Sequence, residues 1–251
     1  MNARRHEYCA VALADAFRGD GEILSSPIGV LPSIGARLAK LTFAPGLLLT
    51  DGVASLLGDV PALGREAEAV VEGYMPYRTV FDVVWSGRRH VVMGASQIDR
   101  YGNQNISAIG DHARPKAQLL GMRGAPGNTI NHTTSYFVPS HSTRAFVNEV
   151  DVVSGIGYDR ARALGPRASR FHEIRRVVSN LGVFDFRTPD GRMRLVSVHP
   201  GVSVDDVLRN TAFELVNEGS VEETRSPTDH ELMLIRERID PNGAGAREIP
   251  S

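Results

Sequence analysis

Residues 94–105 read GASQIDRYGNQN and directly follow the apolar run VVM at 91–93. An ordinary tight turn needs only one glycine and one Asx residue. Because open α/β sheets bind ligands at the carboxyl ends of their strands, the position of this stretch predicts a binding loop. A polar loop that binds nothing is the alternative. The polar side chains concentrated here are Gln97, Asp99, Arg100, Tyr101, Asn103 and Asn105.

Outward from this stretch, the first half of the chain alternates helical and extended patterns. Helices between short apolar strands indicate an α/β fold with an open, largely parallel sheet that is flanked by helices. We predict helices at 3–17, 32–41, 63–73 and 76–85, and strands at 22–25, 47–50 and 90–95.

The second half is richer in extended patterns, because its valines suit pleated, half-buried surfaces. We predict strands there at 134–138, 146–153, 175–183 and 193–198.

Two N-cap signatures mark later helices. Ser203 with Asp206 begins a predicted helix over 203–212, and Thr228 with Glu231 begins the helix that contains ELMLIRERI. Each pair places a hydroxyl at the N-cap and a carboxylate three residues later.

The domain organisation is simple. No internal repeat or low-complexity linker divides the chain, so we predict a single domain over 1–251. Residues 241–251 contain Gly, Ala and Pro in no pattern and are predicted to be a flexible tail.

Composition excludes several classes of protein. The chain is 42% hydrophobic with a formal net charge of −1, so we expect no affinity for nucleic acid or an acidic membrane. No apolar run is long enough to span a membrane. Glu7 and Asp15 interrupt the N-terminal apolar pattern, which therefore predicts an amphipathic helix and not a signal peptide. The single cysteine, Cys9, fits a reducing cytoplasm.

Common cofactor motifs are also missing from the sequence. Neither GxGxxG nor GxxxxGKS/T follows a predicted strand, and the histidines lack the HExxH spacing of a zinc site. We therefore expect neither a metal nor a nucleotide cofactor.

Three polar segments fall at the ends of predicted strands, at 50–52, 96–105 and 121–125. If the strands are parallel, these segments lie at one edge of the sheet and form a single cleft. The alternative is that each segment is a polar loop and nothing more.

Taken together, these segments resemble β subunits of class I coenzyme A transferases. The stretch 94–105 is similar to the family signature GxxQxDxxGNxN, and GMRGA at 121–125 falls where the family has a Gly-Gly-Ala turn. The resemblance covers most of residues 20–215. Further matches, in the same order as in the family, are LAKLTFAPGLLL at 38–49, LGVF at 181–184 and HPGV at 199–202.

The resemblance implies a NagB/RpiA-like open α/β fold and a homologous α subunit, with the active site between the subunits of an α2β2 heterotetramer. Coenzyme A would enter as part of an acyl-CoA substrate, with no other cofactor. The implied substrate-binding and CoA-binding residues are Gln97, Tyr101, Asn103, Asn105, Gly121, Arg123, Gly124 and Ala125.

These residues would act by hydrogen bonds to the thioester. Gln97 and Asn103 would orient the acyl group through their amides, and N–H groups of 121–125 would face a developing oxyanion. Two alternatives remain open. Asp99 and Arg100 could form an internal pair that fixes the loop, and Tyr101 could pack beneath the cleft.

One departure from the family is informative. Transferase β subunits carry a nucleophilic glutamate after the strand that matches 47–50, and here Gly52 occupies its place. Asp51 lies one residue early and is one methylene shorter, so it is a weak catalytic candidate. Its alternative role is to cap the following turn.

One branch of the family shares this departure. Its members are heteromeric hydrolases of steroid catabolism that open a carbocyclic ring of a cholesterol-derived ketoacyl-CoA, and this chain is similar to their β subunits. The resemblance implies a retro-Claisen-type hydrolysis, with the general base in the α subunit. The alternatives are a CoA transferase β subunit for a small carboxylic acid, which would need a covalent adduct on Asp51, and a non-catalytic subunit that completes its partner's cleft.

Overall fold

The computed structural model describes residues 2–216 and 219–249. Its α-helices are α1 (Arg5–Asp15), α2 (Val30–Leu41), α3 (Tyr77–Ser86), α4 (Ala125–Asn131), α5 (Tyr158–Ala163), α6 (Pro166–Ser169), α7 (Val204–Arg209), α8 (Asp229–Met233) and α9 (Ala244–Glu248). Its strands are β1 (Leu24–Pro27), β2 (Leu49–Thr50), β3 (Ser55–Leu57), β4 (Val71–Tyr74), β5 (Arg89–Gly94), β6 (Gln97–Ile98), β7 (Gln104–Asn105), β8 (Ala108–Ile109), β9 (Ala117–Gln118), β10 (Thr133–Val138), β11 (Glu173–Ser179), β12 (Gly182–Asp185), β13 (Arg194–Val198) and β14 (Glu222–Glu223).

The chain forms two compact units. The first unit comprises residues 1–93 and 225–251, and the second comprises 94–224. The expectation of a single domain stays a prediction. Among the helices of the described ranges, none combines the length and the hydrophobicity that a membrane span requires.

The first unit is built on α1, α2 and a parallel strand pair. β1 and β5 pair in parallel, with Leu24 opposite Arg89. The two helices approach closely because Gly35 lacks a side chain, since a Cβ atom there would lie 2.7 Å from Cβ of Leu13. The helices predicted at 3–17, 32–41 and 76–85 are confirmed as α1, α2 and α3.

The helix predicted at 63–73 is wrong. A short 3-10 turn at Glu66–Glu68 is followed by β4, which pairs antiparallel with β3. Val70 and Val71 are β-branched, and the Val70 N–H donates to Oδ1 of Asp59 at 3.0 Å. Strand pairing with β3 therefore prevails over local helix preference.

The second unit contains a mixed sheet in the order β10-β11-β12-β13-β14. β10 is parallel to β11 and β13 to β14, whereas β12 is antiparallel to both neighbours. The α/β class and the strand-rich second half are confirmed, and the antiparallel pairs of this sheet are the two that β12 makes. The predicted strand 175–183 is two strands, β11 and β12. A connection of only two residues joins them, which imposes an antiparallel pair.

The strand predicted at 146–153 is also wrong. Its backbone forms a single bridge, between Ile98 and Phe146, and the N–H of Asp151 donates to Oε1 of Gln97 at 3.0 Å. The N–H groups of Val147 and Asp151 therefore donate to the 94–105 stretch and are not available for a sheet ladder.

Both N-cap signatures are confirmed. Oγ of Ser203 accepts the Asp206 N–H at 3.1 Å, and Oγ1 of Thr228 accepts the Glu231 N–H at 3.1 Å. α8 continues into a π-helix at Leu234–Ile239.

The predicted tail is structured over most of its length. α9 begins at Ala244, and the Glu248 carboxylate accepts the N–H of Leu31 at 2.8 Å. Ile249 is buried against the first unit. Residues 250–251 lie outside the described ranges.

A substitution tests whether α9 is docked. Ile249→Ala should lower the free energy of unfolding by about 3 kcal/mol, because it removes a buried side chain and leaves a cavity. Arg247→Ala, on the exposed side of the same helix, is the control and should change it by less than about 0.5 kcal/mol. Urea unfolding measures both. Equal, small effects would show that the tail is undocked in solution.

Candidate active site

The 94–105 stretch forms a two-stranded hairpin. β6 and β7 pair Gln97 with Asn105, and the turn closes where the Gly102 N–H donates to the Asp99 carbonyl at 3.0 Å. Gly102 has a φ of +83°, and a Cβ atom there would lie 2.6 Å from Cδ1 of Ile174. Both the backbone conformation and the packing therefore require glycine.

The Asp99 carboxylate organises this turn. Oδ1 accepts the N–H groups of Tyr101 at 2.9 Å and Asn103 at 3.0 Å, and Oδ2 accepts Nδ2 of Asn103 at 2.9 Å. Burial raises the pKa of Asp99 even though these three donors favour the charged form. The expected structural role of Asp99 is confirmed, but Arg100 is not its partner. The Arg100 guanidinium instead donates to Oδ1 of Asn148 at 3.4 Å.

Asn103 joins the hairpin to the loop at 151–159. Its Nδ2 also donates to Oδ1 of Asp159 at 2.9 Å, and its Oδ1 accepts the N–H of Gly157 at 2.7 Å. The side chain is only 1% exposed. Both ends of this amide are therefore satisfied inside the chain.

Gln97 and Asn105 make a second link of the same kind. Nε2 of Gln97 donates to Oδ2 of Asp151 at 2.9 Å, and its Oε1 accepts Nδ2 of Asn105 at 2.7 Å. Nδ2 of Asn105 also donates to the carbonyl of Ala108 at 2.7 Å. Both residues are buried.

The predicted binding amides are thus committed to internal partners. Their role in substrate binding stays a prediction, whereas the geometry shows them stabilising the loop. Tyr101 is half-buried, and its backbone carbonyl accepts the N–H of Tyr158 at 2.9 Å.

Sequence reasoning missed the loop at 151–159. Asp151, Gly157 and Asp159 supply the partners just described, but the valines at 152–153 made the segment resemble a strand. The useful signal was DVVSGIGYD itself, since two aspartates, a serine and two glycines are unusual in a buried strand.

The same loop connects the hairpin to the turn at 121–125. The N–H of Gln104 donates to the Gly155 carbonyl at 2.9 Å, and the N–H of Ile156 donates to Oγ1 of Thr129 in α4 at 3.2 Å. α4 begins directly after the turn. These two predicted segments share one supporting loop. Segment 50–52 belongs to the first unit, so convergence of all three stays a prediction.

The turn at 121–125 contains a strained residue. Arg123 has a φ of +53°, and within the described ranges no other non-glycine residue has a positive φ. The Ala125 N–H donates to the Met122 carbonyl at 3.1 Å, and Gly124 has φ −85° and ψ 1°. A positive φ followed by these values is typical of a type II′ turn, whose second residue is usually glycine.

The turn also presents free amides. Within residues 2–216 and 219–249, the N–H groups of Arg123 and Gly124 donate to no acceptor. Arg123 is exposed, and its Nε donates to the Leu120 carbonyl at 3.2 Å. Two adjacent N–H groups at a turn can bind an oxyanion.

The loop after β2 is organised by Asp51. Its Oδ1 accepts the N–H groups of Val53 and Ala54 at 2.8 Å each and of Ser55 at 2.9 Å. Burial alone would raise the pKa of Asp51, but these backbone donors prevail and lower it. The alternative interpretation, that Asp51 caps the following turn, is confirmed.

A cavity of about 350 Å³ lies beside this loop, within the first unit. Arg37 in its wall is buried and donates to Oε1 of Glu66 at 2.6 Å. Burial lowers the pKa of Arg89, also in the wall, to about 10. The Arg89 guanidinium therefore stays charged at neutral pH. Residues that line the cavity include Ile28, Arg37, Gly52, Met75, Val80 and Arg89.

In the part of the chain that the structure describes, no three His, Cys, Asp or Glu side chains are grouped so that they could hold a metal ion.

Known proteins resemble this chain over nearly its full length. It is 58% identical over 245 residues to the cholesterol ring-cleaving hydrolase IpdB subunit of Rhodococcus jostii (strain RHA1), covering 98% of this chain and 96% of that protein. The crystal structure of Rhodococcus jostii RHA1 IpdAB matches with a TM-score of 0.95 and 56% identity, over 100% of both chains.

More distant similarity extends to a transferase. The chain is 30% identical over 261 residues to a glutaconate CoA-transferase subunit of Acidaminococcus fermentans, covering 97% of this chain and 95% of that protein. The sequence pattern of the family described as coenzyme A transferase matches residues 82–210.

Asn103→Ala separates the two roles of the buried amides. The variant removes two hydrogen bonds to carboxylates and leaves the Gly157 N–H without its acceptor, so the free energy of unfolding should fall by about 3 kcal/mol. Asn148→Ala, on the exposed surface, should leave it nearly unchanged. Urea unfolding measures both. A stable Asn103→Ala protein with a strongly raised KM would favour the substrate-binding role.

The strain at Arg123 is testable with a matched pair. Arg123→Gly and Arg123→Ala both remove the guanidinium, but only glycine adopts a positive φ without strain. We expect the glycine variant to be more stable than the alanine variant by about 1 kcal/mol. Thermal unfolding compares them directly. Equal stability would mean that this backbone conformation is not held in solution.

Proposed function

This chain belongs to the coenzyme A transferase family, and we propose that it is the β subunit of a two-subunit hydrolase that opens a carbocyclic ring of a steroid-derived ketoacyl-CoA. The relative with 58% identity is a cholesterol ring-cleaving hydrolase subunit, and the match extends over 98% of this chain. The enzyme would act in steroid catabolism, which is part of lipid metabolism.

The loop at 51–55 carries the proposal. Gly52 has no side chain where family transferases have a nucleophilic glutamate, and the Asp51 oxygen that faces the loop already accepts three N–H groups. A carboxylate held in this way, with a lowered pKa, is a weak nucleophile. The family's covalent route to CoA transfer is thus unsupported in this chain, while hydrolysis needs no such group.

The proposed reaction is a hydrolytic C–C cleavage. The oxygen of water bonds to the ring carbonyl carbon, and the bond from that carbon to its neighbour breaks. The electron pair passes to the thioester as an enolate, and protonation gives a ring-opened acyl-CoA with a new carboxylate. The N–H groups of Arg123 and Gly124 are the candidate donors to the enolate oxygen, and one such donor is typically worth about 10²–10³ in rate.

The general base is proposed to come from a homologous α subunit, in a heterotetramer with two copies of each chain. The related protein from Rhodococcus jostii is named IpdAB, and its relative of this chain is named the IpdB subunit. An exposed apolar surface supports the presence of a partner subunit, because monomeric proteins seldom expose large contiguous patches of apolar side chains. In the first unit the exposed aromatic side chains are Tyr74, Tyr77, Phe81 and Trp85.

We propose that coenzyme A, as part of the substrate, is the only cofactor group involved, and that the enzyme works in the cytoplasm. Cys9 is a buried thiol whose pKa is raised to about 12 by burial, so it stays protonated and unreactive at neutral pH.

A CoA transferase for a small carboxylic acid is the alternative, and similarity to a glutaconate CoA-transferase subunit favours it. That reaction needs a covalent thioester on a carboxylate, and Asp51 is the carboxylate nearest in sequence to the position of the missing glutamate. A subunit that only completes its partner's cleft is the other alternative.

The chain co-expressed with its α subunit should open a cyclic steroid-derived ketoacyl-CoA in H₂¹⁸O. Mass spectrometry should detect ¹⁸O in the new carboxylate while CoA stays attached. Asp51→Asn should keep most of this turnover, because the amide oxygen can accept the same three N–H groups. Asp51→Ala is the control for the loop and should cost about 1 kcal/mol in stability.

The transferase alternative predicts a different result. CoA would move to an added acid, no ring would open, and Asp51→Asn would abolish a hydroxylamine-sensitive adduct. That outcome would reject the hydrolase.

A further inference from the structure

We propose that the cavity beside Gly52 holds the cyclic acyl group of the substrate, and that Gly52 determines which acyl groups fit by leaving this space open. The inference rests on the proposed function and adds the acyl-group site and a residue that sets its specificity.

The size of the cavity suits a ring. It measures about 350 Å³, whereas about 150 Å³ is enough to bind benzene in an apolar protein cavity. A substituted six-membered ring therefore fits with room for its oxygen atoms. A short linear acyl group would leave most of the volume unfilled.

The walls match the chemistry of a ring that carries oxygen. Leu24, Ile28, Met75 and Val80 provide apolar contacts for ring carbons. The guanidinium of Arg89 is a charged donor in the same wall and is only 7% exposed as a residue. Hydrogen bonds from buried cationic donors to ligand oxygens are among the stronger polar contacts. An alicyclic acyl group with a keto oxygen or a carboxylate would contact the apolar side chains through its ring carbons and the Arg89 guanidinium through its oxygen.

Gly52 borders this volume and carries no side chain into it. It lines the cavity, and a Cβ atom built on it would meet no atom within 4 Å. Close packing therefore does not require glycine here, in contrast to Gly102, where a Cβ atom would meet Ile174 at 2.6 Å. A larger side chain at 52 could enter open space and reduce the room available to a ligand.

The backbone offers a rival explanation for this glycine. Its φ is +78°, which glycine adopts easily and most other residues do not. Asparagine tolerates this conformation better than other side chains. Gly52→Asn therefore separates the two explanations, because it adds volume at a moderate backbone cost.

The chain supplies a matched control. Gly19 lies in the same unit with a φ of +84°, and a Cβ atom there also meets nothing within 4 Å. It does not line the cavity. Gly19→Asn thus imposes the same kind of backbone demand without adding volume at the site.

The test uses the complex with the α subunit and two unreactive probes, cyclohexanecarboxyl-CoA and acetyl-CoA. Isothermal titration should show the unmodified complex binding the cyclic probe more tightly. Gly52→Asn should raise the Kd of the cyclic probe about tenfold or more, since small differences in pocket volume have effects of this size. The Kd of acetyl-CoA should stay within about twofold of its value for the unmodified complex. Gly19→Asn should change neither.

Several results would overturn the inference. These are no preference for the cyclic probe in the unmodified complex, no effect of Gly52→Asn, or an equal loss for both probes. If Gly52→Asn does not assemble, Val80→Phe narrows the same cavity from α3 and must show the same selective loss.

Ring opening by the unmodified complex is measured separately. If the unmodified complex opens the ring but Gly52→Asn shows no selective loss of cyclic-probe binding, only this inference is rejected. If CoA is transferred and no ring opens, the proposed function is rejected.

Discussion

The buried carboxylate of Asp99 is the group on which the 94–105 stretch depends. A charge that is removed from water must be compensated by donors, because the desolvation cost otherwise exceeds what the fold can supply. Two backbone N–H groups and the Asn103 amide provide that compensation, and they do so only when the turn closes at Gly102. Asn103 then extends the constraint to Gly157, so the hairpin and the loop at 151–159 are ordered together.

This network changes how the family signature is understood. Its polar residues resemble a binding motif, yet Gln97, Asn103 and Asn105 are buried and hydrogen-bonded within the hairpin or to the loop at 151–159. A rigid loop of this kind can support the exposed groups of the second unit. The strained Arg123 and its free neighbouring N–H groups are placed on such a support, through Thr129 and Ile156. Strain persists where the surrounding structure holds it, and such sites are often functional.

The loop after β2 shows how one family scaffold can lose one chemistry and acquire another. Asp51 uses its carboxylate for three backbone N–H groups, which keeps the loop ordered without a side chain at Gly52. Loss of the glutamate removes the nucleophile for CoA transfer and, at the same position, leaves space beside a cavity of about 350 Å³. A single glycine thus bears on both the reaction and the size of the acyl group.

Features that depend on near neighbours along the chain could be predicted from the residues alone. The hydroxyl–carboxylate pairs at Ser203 and Thr228 predicted their helix starts, since cap and partner are three residues apart. The order of the family motifs likewise predicted the α/β class and the coenzyme A transferase family. The tertiary structure was needed to find Asp151 and Gly157, the partners that lie 54 positions from Gln97 and Asn103, and the strand at Val71–Tyr74. It also decided the docking of α9 through Glu248 and Leu31. The physical reason is range: a cap is completed within one turn of chain, whereas a buried amide or a β-strand is satisfied by whichever distant segment the fold brings to it.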